Sequence, residues 1–168
     1  MIAAATTRPI TPAAVRAALA DVADPEIPVV SIVDLGIVDE IRVDGGGIGV
    51  TLRPTFLGCP ALDLIKAAVE DRLRAFGRPT EVRFDHRTPW SSDRITRAGR
   101  RRLRGSGFAP PHPVRADEPV LLQLQTPVAC PHCGSRRTIL ENAFGPTRCR
   151  AVYHCSNCRQ PFESFKPV

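Results

Sequence analysis

Two Cys-x-x-Cys pairs near the end of the chain, Cys130-Pro131-His132-Cys133-Gly134 and Cys155-Ser156-Asn157-Cys158, are the residues best suited to chemistry. A two-residue spacer lets both thiolates of a pair reach one metal ion, and Gly134 offers the permissive φ that such a turn favours. With 21 residues between them, two such turns can complete the tetrahedral four-cysteine shell of one structural Zn2+ per chain. Four thiolates leave no open coordination position, so the expected role is structural. In a module of about 45 residues, metal binding of roughly 10–16 kcal/mol would count as folding energy. Iron held by the same ligands and a thiol–disulfide pair are the alternatives. His132 and His154 adjoin the ligands as outer or surface residues. Cys149, six residues before Cys155, is either a buried apolar residue or an extra ligand.

Cys59 stands apart, directly before Pro60 and a predicted helix. A thiol at a helix N-terminus feels the unpaired N–H groups and the positive dipole end, which can lower its pKa to roughly 3.5–7.5. Gly58 lets backbone approach closely, Thr55 offers a hydroxyl, and Asp24, Glu26 and Asp34 sit on loops that can meet this point. The residues read as a candidate reactive or metal-binding thiolate with carboxylates beside it. The alternative is a packing cysteine, with the carboxylates serving as turn and cap residues.

The elements that must position these residues follow from pattern. Thr11 caps a first helix with Pro12 at its first position, and Val15, Ala18, Leu19 and Val22 recur at helical spacing. The prolines of Asp24-Pro25-Glu26-Ile27-Pro28 end it. Ile37–Val43 and Ile48–Arg53 read as antiparallel strands joined by Asp44-Gly45-Gly46-Gly47. A second helix runs from Pro60 to about Phe76, with Gly77 as its C-cap, and Glu81–Asp85 alternates like a third strand. The α-β-β-α-β order places residues 1–88 in the α+β class, as a small mixed-sheet domain. Residues 89–119 read as an Arg-rich helix, Asp93–Arg104, followed by a Pro-rich linker, and residues 120–168 as a four-cysteine zinc ribbon.

Composition supports a folded soluble chain: 168 residues, 43% hydrophobic and 24% charged. The net charge of +6 is uneven. Residues 1–88 carry 10 basic against 12 acidic side chains, a net of −2, and residues 89–168 carry 13 against 5, a net of +8. Arg outnumbers Lys 21 to 2, so part of the bias can reflect base composition. No apolar run approaches the 18 or so residues needed to span a bilayer. The start lacks a basic stretch followed by an apolar core, so a cytoplasmic protein is expected.

Three stretches resemble the signature of the metal–sulfur cluster biosynthetic domain of iron–sulfur assembly factors: Asp24-Pro25-Glu26-Ile27-Pro28, Ile32-Val33-Asp34-Leu35-Gly36 and Pro54-Thr55-Phe56-Leu57-Gly58-Cys59-Pro60. The family's cysteine falls on Cys59, its threonine on Thr55, and its acidic loop residues on Asp24, Glu26 and Asp34. Arg53 replaces the threonine often found before the proline. Further stretches, Thr88-Pro89-Trp90, Gly107-Phe108-Ala109-Pro110-Pro111, Phe144 to Ala151 and Pro161 to Lys166, resemble the D subunits of phenylacetyl-CoA epoxidase, called J subunits of phenylacetate-CoA oxygenase in older naming. This second resemblance covers roughly residues 12–168 and accounts for the joining of the two modules.

The resemblance implies an accessory role in aerobic phenylacetate degradation: assisting iron or Fe–S centre assembly in a partner, with Cys59 as a transient iron or cluster ligand. The partners implied are the flavin/[2Fe–2S] reductase or the di-iron oxygenase subunits, with self-association a further option. No catalytic turnover of its own is expected, since the chain has no Glu-x-x-His pair and no Gly-x-Gly-x-x-Gly loop. A rival reading is a zinc-ribbon nucleic-acid-binding or regulatory protein using Arg94, Arg97, Arg100, Arg101, Arg102 and Arg104. No aromatic-rich strand accompanies that run, which argues against single-strand stacking. A third reading makes Cys59 an enzyme nucleophile, but no histidine lies in either loop beside it.

Overall fold

A computed structural model describes residues 9–56, 58–114 and 126–167. The chain start, the end of the expected linker and the expected opening of the ribbon at Val120 lie outside the described residues. Helix α1 (Pro12–Leu19) begins as its sequence demands, with the Thr11 hydroxyl accepting the Ala14 N–H at 3.2 Å. Strands β1 (Val38–Asp44) and β2 (Gly47–Leu52) form an antiparallel hairpin. Helix α2 (Leu62–Leu73), extended by a 3₁₀ turn to Phe76, crosses over to β3 (Thr80–Phe84), which lies parallel to β2. Gly77 ends the helical stretch in the left-handed region at φ 62°. Val15 and Leu19 from α1, Ile65 and Val69 from α2, and Val50 and Val82 from the sheet share one apolar core.

A second sheet carries the paired cysteines. Its strand order is β4 (Phe108–Ala109), β7 (Pro161–Phe165), β6 (Arg150–Cys155), β5 (Thr138–Asn142). Neighbours are antiparallel except β4, which runs parallel to β7. The architecture is therefore mixed α+β with two small sheets, as the pattern of elements predicts.

The Arg-rich segment is docked on the first core. Trp90 is buried, donates its indole N–H to the Leu35 carbonyl at 2.9 Å, and packs against Phe165 with ring centroids 5.6 Å apart. The expected single helix splits into a 3₁₀ turn, Ser92–Arg94, and α3 (Arg97–Gly105), capped by the Thr96 hydroxyl. Leu103 and Ile95 join the first core. Gly99 lies so close to the loop before β1 that a Cβ there would sit 2.8 Å from the Asp34 carbonyl oxygen, so a larger residue forces the two apart.

Much of the basic run is turned to internal use. Arg94 pairs with Asp39 at 2.8 Å, Arg102 pairs with Asp34, and Arg100 donates to the Ser92 carbonyl at 2.8 Å. Asp39 also accepts from Arg53 at 2.7 Å, so the arginine at the departure from the assembly-domain pattern belongs to this network. Arg97, Arg101 and Arg104 are exposed.

Leu103 is fully buried, so Leu103→Ala should cost about 2–5 kcal/mol in urea unfolding, while exposed Arg104→Ala should change stability by no more than about 0.5 kcal/mol. Equal, small effects would mean that α3 is not part of the folding unit.

Candidate functional site

The sulfurs of Cys130, Cys133, Cys155 and Cys158 all lie within 4.8 Å of one another. Two tight turns bring them together. The first places Gly134 at φ 76° and returns its N–H to the Cys130 carbonyl at 2.9 Å; the second places Arg159 at φ 59° and returns its N–H to the Cys155 carbonyl at 2.8 Å. Each pair is thus followed by a left-handed residue, a position that Gly134 fills without strain and Arg159 does not. Backbone N–H groups face the sulfurs as such turns require. That of Ser135 holds the Cys133 thiol down at about 6, and that of Cys158 lowers Cys155. Cys158 receives a similar donor from Gln160, but desolvation and the three neighbouring sulfurs push it up to about 12.

Four sulfurs so close cannot all be anionic unless a cation sits among them. The spacing fits one. Bonds of about 2.3 Å to a tetrahedral metal set sulfur–sulfur distances near about 3.8 Å, and Cys130–Cys158 and Cys133–Cys155 stand at 3.7 and 3.6 Å. All four are free thiols rather than disulfides. The group can therefore hold a structural metal.

Cys149 is not part of this group, which corrects its reading as an extra ligand there. It packs against the first core, whereas Cys130 and Cys155 belong to the second. The reason lies in the strand: Cys149 immediately precedes β6 and Cys155 ends it, so the length of the strand separates them. Cys149 instead meets the Cys59 loop. Both cysteines, with Glu26, Thr55, Phe56 and Phe144, line one cavity of about 240 Å³, and both also line a nearly closed gap of about 10 Å³ beside Asp24 and Phe165. The Cys149 thiol lies 3.1 Å from the Thr147 hydroxyl and 3.9 Å from a Glu26 carboxylate oxygen.

The three acidic residues expected near Cys59 separate by role. Asp24 shapes its own loop: its Oδ1 accepts the N–H groups of Glu26 and Ile27 at 2.9 and 2.8 Å, while burial pushes its carboxyl above the ordinary value. Asp34 is turned away to hold α3, accepting from Thr96 at 3.0 Å and from Arg102. Glu26 alone of the three lines the larger cavity, and among the described residues it forms no ion pair.

The expected lowering of the Cys59 pKa is also corrected. Helix α2 begins at Leu62, after Ala61, rather than at Pro60. Burial dominates at Cys59 and raises its thiol. The Ala61 N–H opposes that rise, and the Glu26 and Asp24 carboxylates add to it. Cys149 is raised as well, chiefly by burial. The cavity thus holds two thiols whose burial disfavours the thiolate, with the Glu26 carboxylate and Arg148 also in its lining. Sequence reasoning missed that Cys149 joins Cys59; the signal available was its position in the Phe144–Ala151 stretch.

Both parts of the chain resemble known proteins. Residues 12–84 match the family model of iron–sulfur cluster assembly proteins, and residues 115–166 match that of the PaaD zinc beta ribbon domain. The chain is 37% identical over 153 residues to a protein of Escherichia coli (strain K12) named as the D subunit of 1,2-phenylacetyl-CoA epoxidase, covering 90% of each chain. It is 34% identical over 88 residues to the Fe-S protein maturation auxiliary factor YitW of Bacillus subtilis (strain 168), covering 49% of this chain and 83% of that one. A crystal structure of a DUF59 domain from Bacillus anthracis superposes with a TM-score of 0.51 at 30% identity, covering 55% of this chain and 90% of that one.

If the four sulfurs hold the ribbon together, Cys155→Ser should lower bound metal from one equivalent per chain to near none, as read by elemental analysis. It should also expose β5 and β6 to hydrogen exchange, because metal binding of roughly 10–16 kcal/mol is then lost from folding. Full metal content in that variant would remove Cys155 from the ligand set.

Proposed function

The chain belongs to the family of D subunits of 1,2-phenylacetyl-CoA epoxidase, and from that premise we propose that it is an accessory maturation subunit. It assists the assembly of an iron or Fe–S centre in another subunit of the epoxidase system and does not turn over substrate. In this reading residues 1–88 form the assembly-type domain, residues 120–168 the ribbon, and residues 89–119 the segment joining them. Cys59 is the transient ligand for iron or a cluster, with Thr55 and Glu26 beside it and Asp24 folding the loop that bears Glu26, while Asp34 acts from a distance by holding α3. The group of Cys130, Cys133, Cys155 and Cys158 holds Zn2+ as a structural ion. The clients are the flavin/[2Fe–2S] reductase or the di-iron oxygenase subunits, and the work is done in the cytoplasm; among the described residues no helix is long and apolar enough to cross a membrane.

The observation that carries the reading is the placement of Cys59. It lies half-buried on the wall of an open cavity with a carboxylate from another loop, in a chain whose relatives include a named Fe–S maturation factor. A closed four-sulfur cage retains its metal, whereas an accessible thiol with few fellow ligands can take up a soft cation and release it. The zinc site supplies rigidity: when bound, Zn2+ neutralises the crowded sulfurs and closes the two turns that carry β5, β6 and β7.

Cys59→Ser should change stability by about 1 kcal/mol or less, and cells carrying it should grow poorly on phenylacetate with reduced iron in the reductase or the oxygenase. Normal growth together with normal partner iron would overturn the role of Cys59 and leave the domain as a binding surface.

A further inference from the structure

We propose that the cavity between α3 and the segment leading into the first cysteine pair binds a small ligand with adjacent phosphate groups, of the nucleoside-diphosphate class. The inference is independent of the reading of Cys59, which lines other cavities.

The cavity has a volume of about 580 Å³, within the roughly 300–1,000 Å³ of small-ligand sites. Four arginines line it: Arg100, Arg101 and Arg104 from α3, and Arg136 from the segment before β5. No acidic residue is among its described lining residues. This sets it apart from the rest of the basic run, in which Arg94 and Arg102 meet Asp39 and Asp34. Arg101, Arg104 and Arg136 are exposed and form no ion pair with any described residue. The end of α3 favours cations on its own account, which explains Arg104 but not Arg136, brought to the same cavity from beyond the first cysteine pair.

The walls are fixed from within the fold. Arg100 donates to the Ser92 carbonyl at 2.8 Å and to the Ile95 and Pro111 carbonyls. Burial lowers its pKa, opposed by the Asp93 carboxylate 3.8 Å away, and a cation withdrawn from water favours an anion beside it. Arg136 donates to the Pro127 carbonyl at 3.3 Å, and the Val128 carbonyl accepts the Thr138 hydroxyl at 2.7 Å. Pro111 and Val128 are buried, so part of the lining is apolar and its backbone is held.

Charge density selects the ligand. An extended acidic peptide brings one charge per residue at most, spaced by about 3.3 Å, with alternate side chains facing away. A terminal phosphate alone carries about −1.5 to −2, and guanidinium forks take phosphate oxygens in pairs. Two adjacent phosphates therefore answer the arginines of one small cavity, while Pro110, Pro111 and Val128 offer an apolar surface to the rest of the molecule. Binding is non-covalent, with no bond made or broken.

The test is calorimetric titration of the full chain, its ribbon loaded with zinc, with ADP at about 0.15 M salt, where diffuse attraction is screened. The native sequence should bind one ADP per chain, and AMP on the order of tenfold more weakly. Arg104→Gln and Arg136→Gln should each weaken ADP binding on the order of tenfold. Arg97→Gln removes the same charge outside the cavity lining and should change binding by less than about twofold. Unchanged zinc content shows that each variant retains its ribbon. No ADP binding by the native sequence, equal affinity for AMP and ADP, or equal losses in Arg97→Gln and Arg104→Gln would each overturn the site. Tighter binding of a poly-glutamate peptide or a DNA duplex than of ADP would assign the arginines to a macromolecular partner and overturn it as well.

Discussion

Four sulfurs confined within 4.8 Å impose a condition on the C-terminal half of the molecule. Thiols so close compete for protons, and the two tight turns that carry them point backbone N–H groups inward, favouring negative charge at a place that can tolerate it only with a cation present. The second apolar core is small, with Ala109, Val128, Ala151, Tyr153 and Phe162 around two of the cysteines, and could not by itself offset the ordering of its strands. Phe165, at the end of β7, is given instead to the first core, where it meets Trp90. The second sheet is thus pinned at one end by the sulfur cluster and at the other by the hydrophobic interior of its neighbour.

The same economy governs the loops before β1. Three carboxylates that share a short stretch of sequence have three fates, decided by what each can reach. Asp24 is close enough to its own backbone to fold the loop, and Asp34 is met by α3, whose Thr96 and Arg102 take it up. Only Glu26 keeps a carboxylate for the cavity. The Arg-rich helix therefore acts on the cavity indirectly, by taking up Asp34 and fixing the loop on which it stands.

Much of this was legible in the sequence where the information is local. The paired cysteines announce themselves by spacing, α1 by Thr11 and Pro12, the hairpin by its glycine turn, and the end of the helical stretch that follows α2 by Gly77. What could not be read was the pairing of distant segments. Cys149 lies six residues from a metal-binding pair and 90 from Cys59, so sequence distance leaves an extra-ligand reading open beside that of a packing cysteine; the length of the intervening strand removes it from the four-sulfur group. The arginine run misled for a related reason. Charge dominates its composition, while the few residues that dock it, Trp90, Ile95, Gly99 and Leu103, are scattered between the arginines. The pKa of Cys59 failed differently: the dipole argument was sound in sign, but burial and two carboxylates outweighed it.

Strand β6 joins the two places where sulfur gathers. It begins at Arg150, beside Cys149 and the cavity, and ends at Cys155, inside the four-sulfur group. An extended strand bonded on both edges, to β5 and to β7, neither stretches nor compresses, so it acts as a ruler. Its position at one end dictates its position at the other. A metal held by the sulfurs at Cys155 therefore also steadies the Arg150 end of the strand, beside Cys149 and the cavity. One six-residue strand thus carries a disturbance at either sulfur-bearing end to the other.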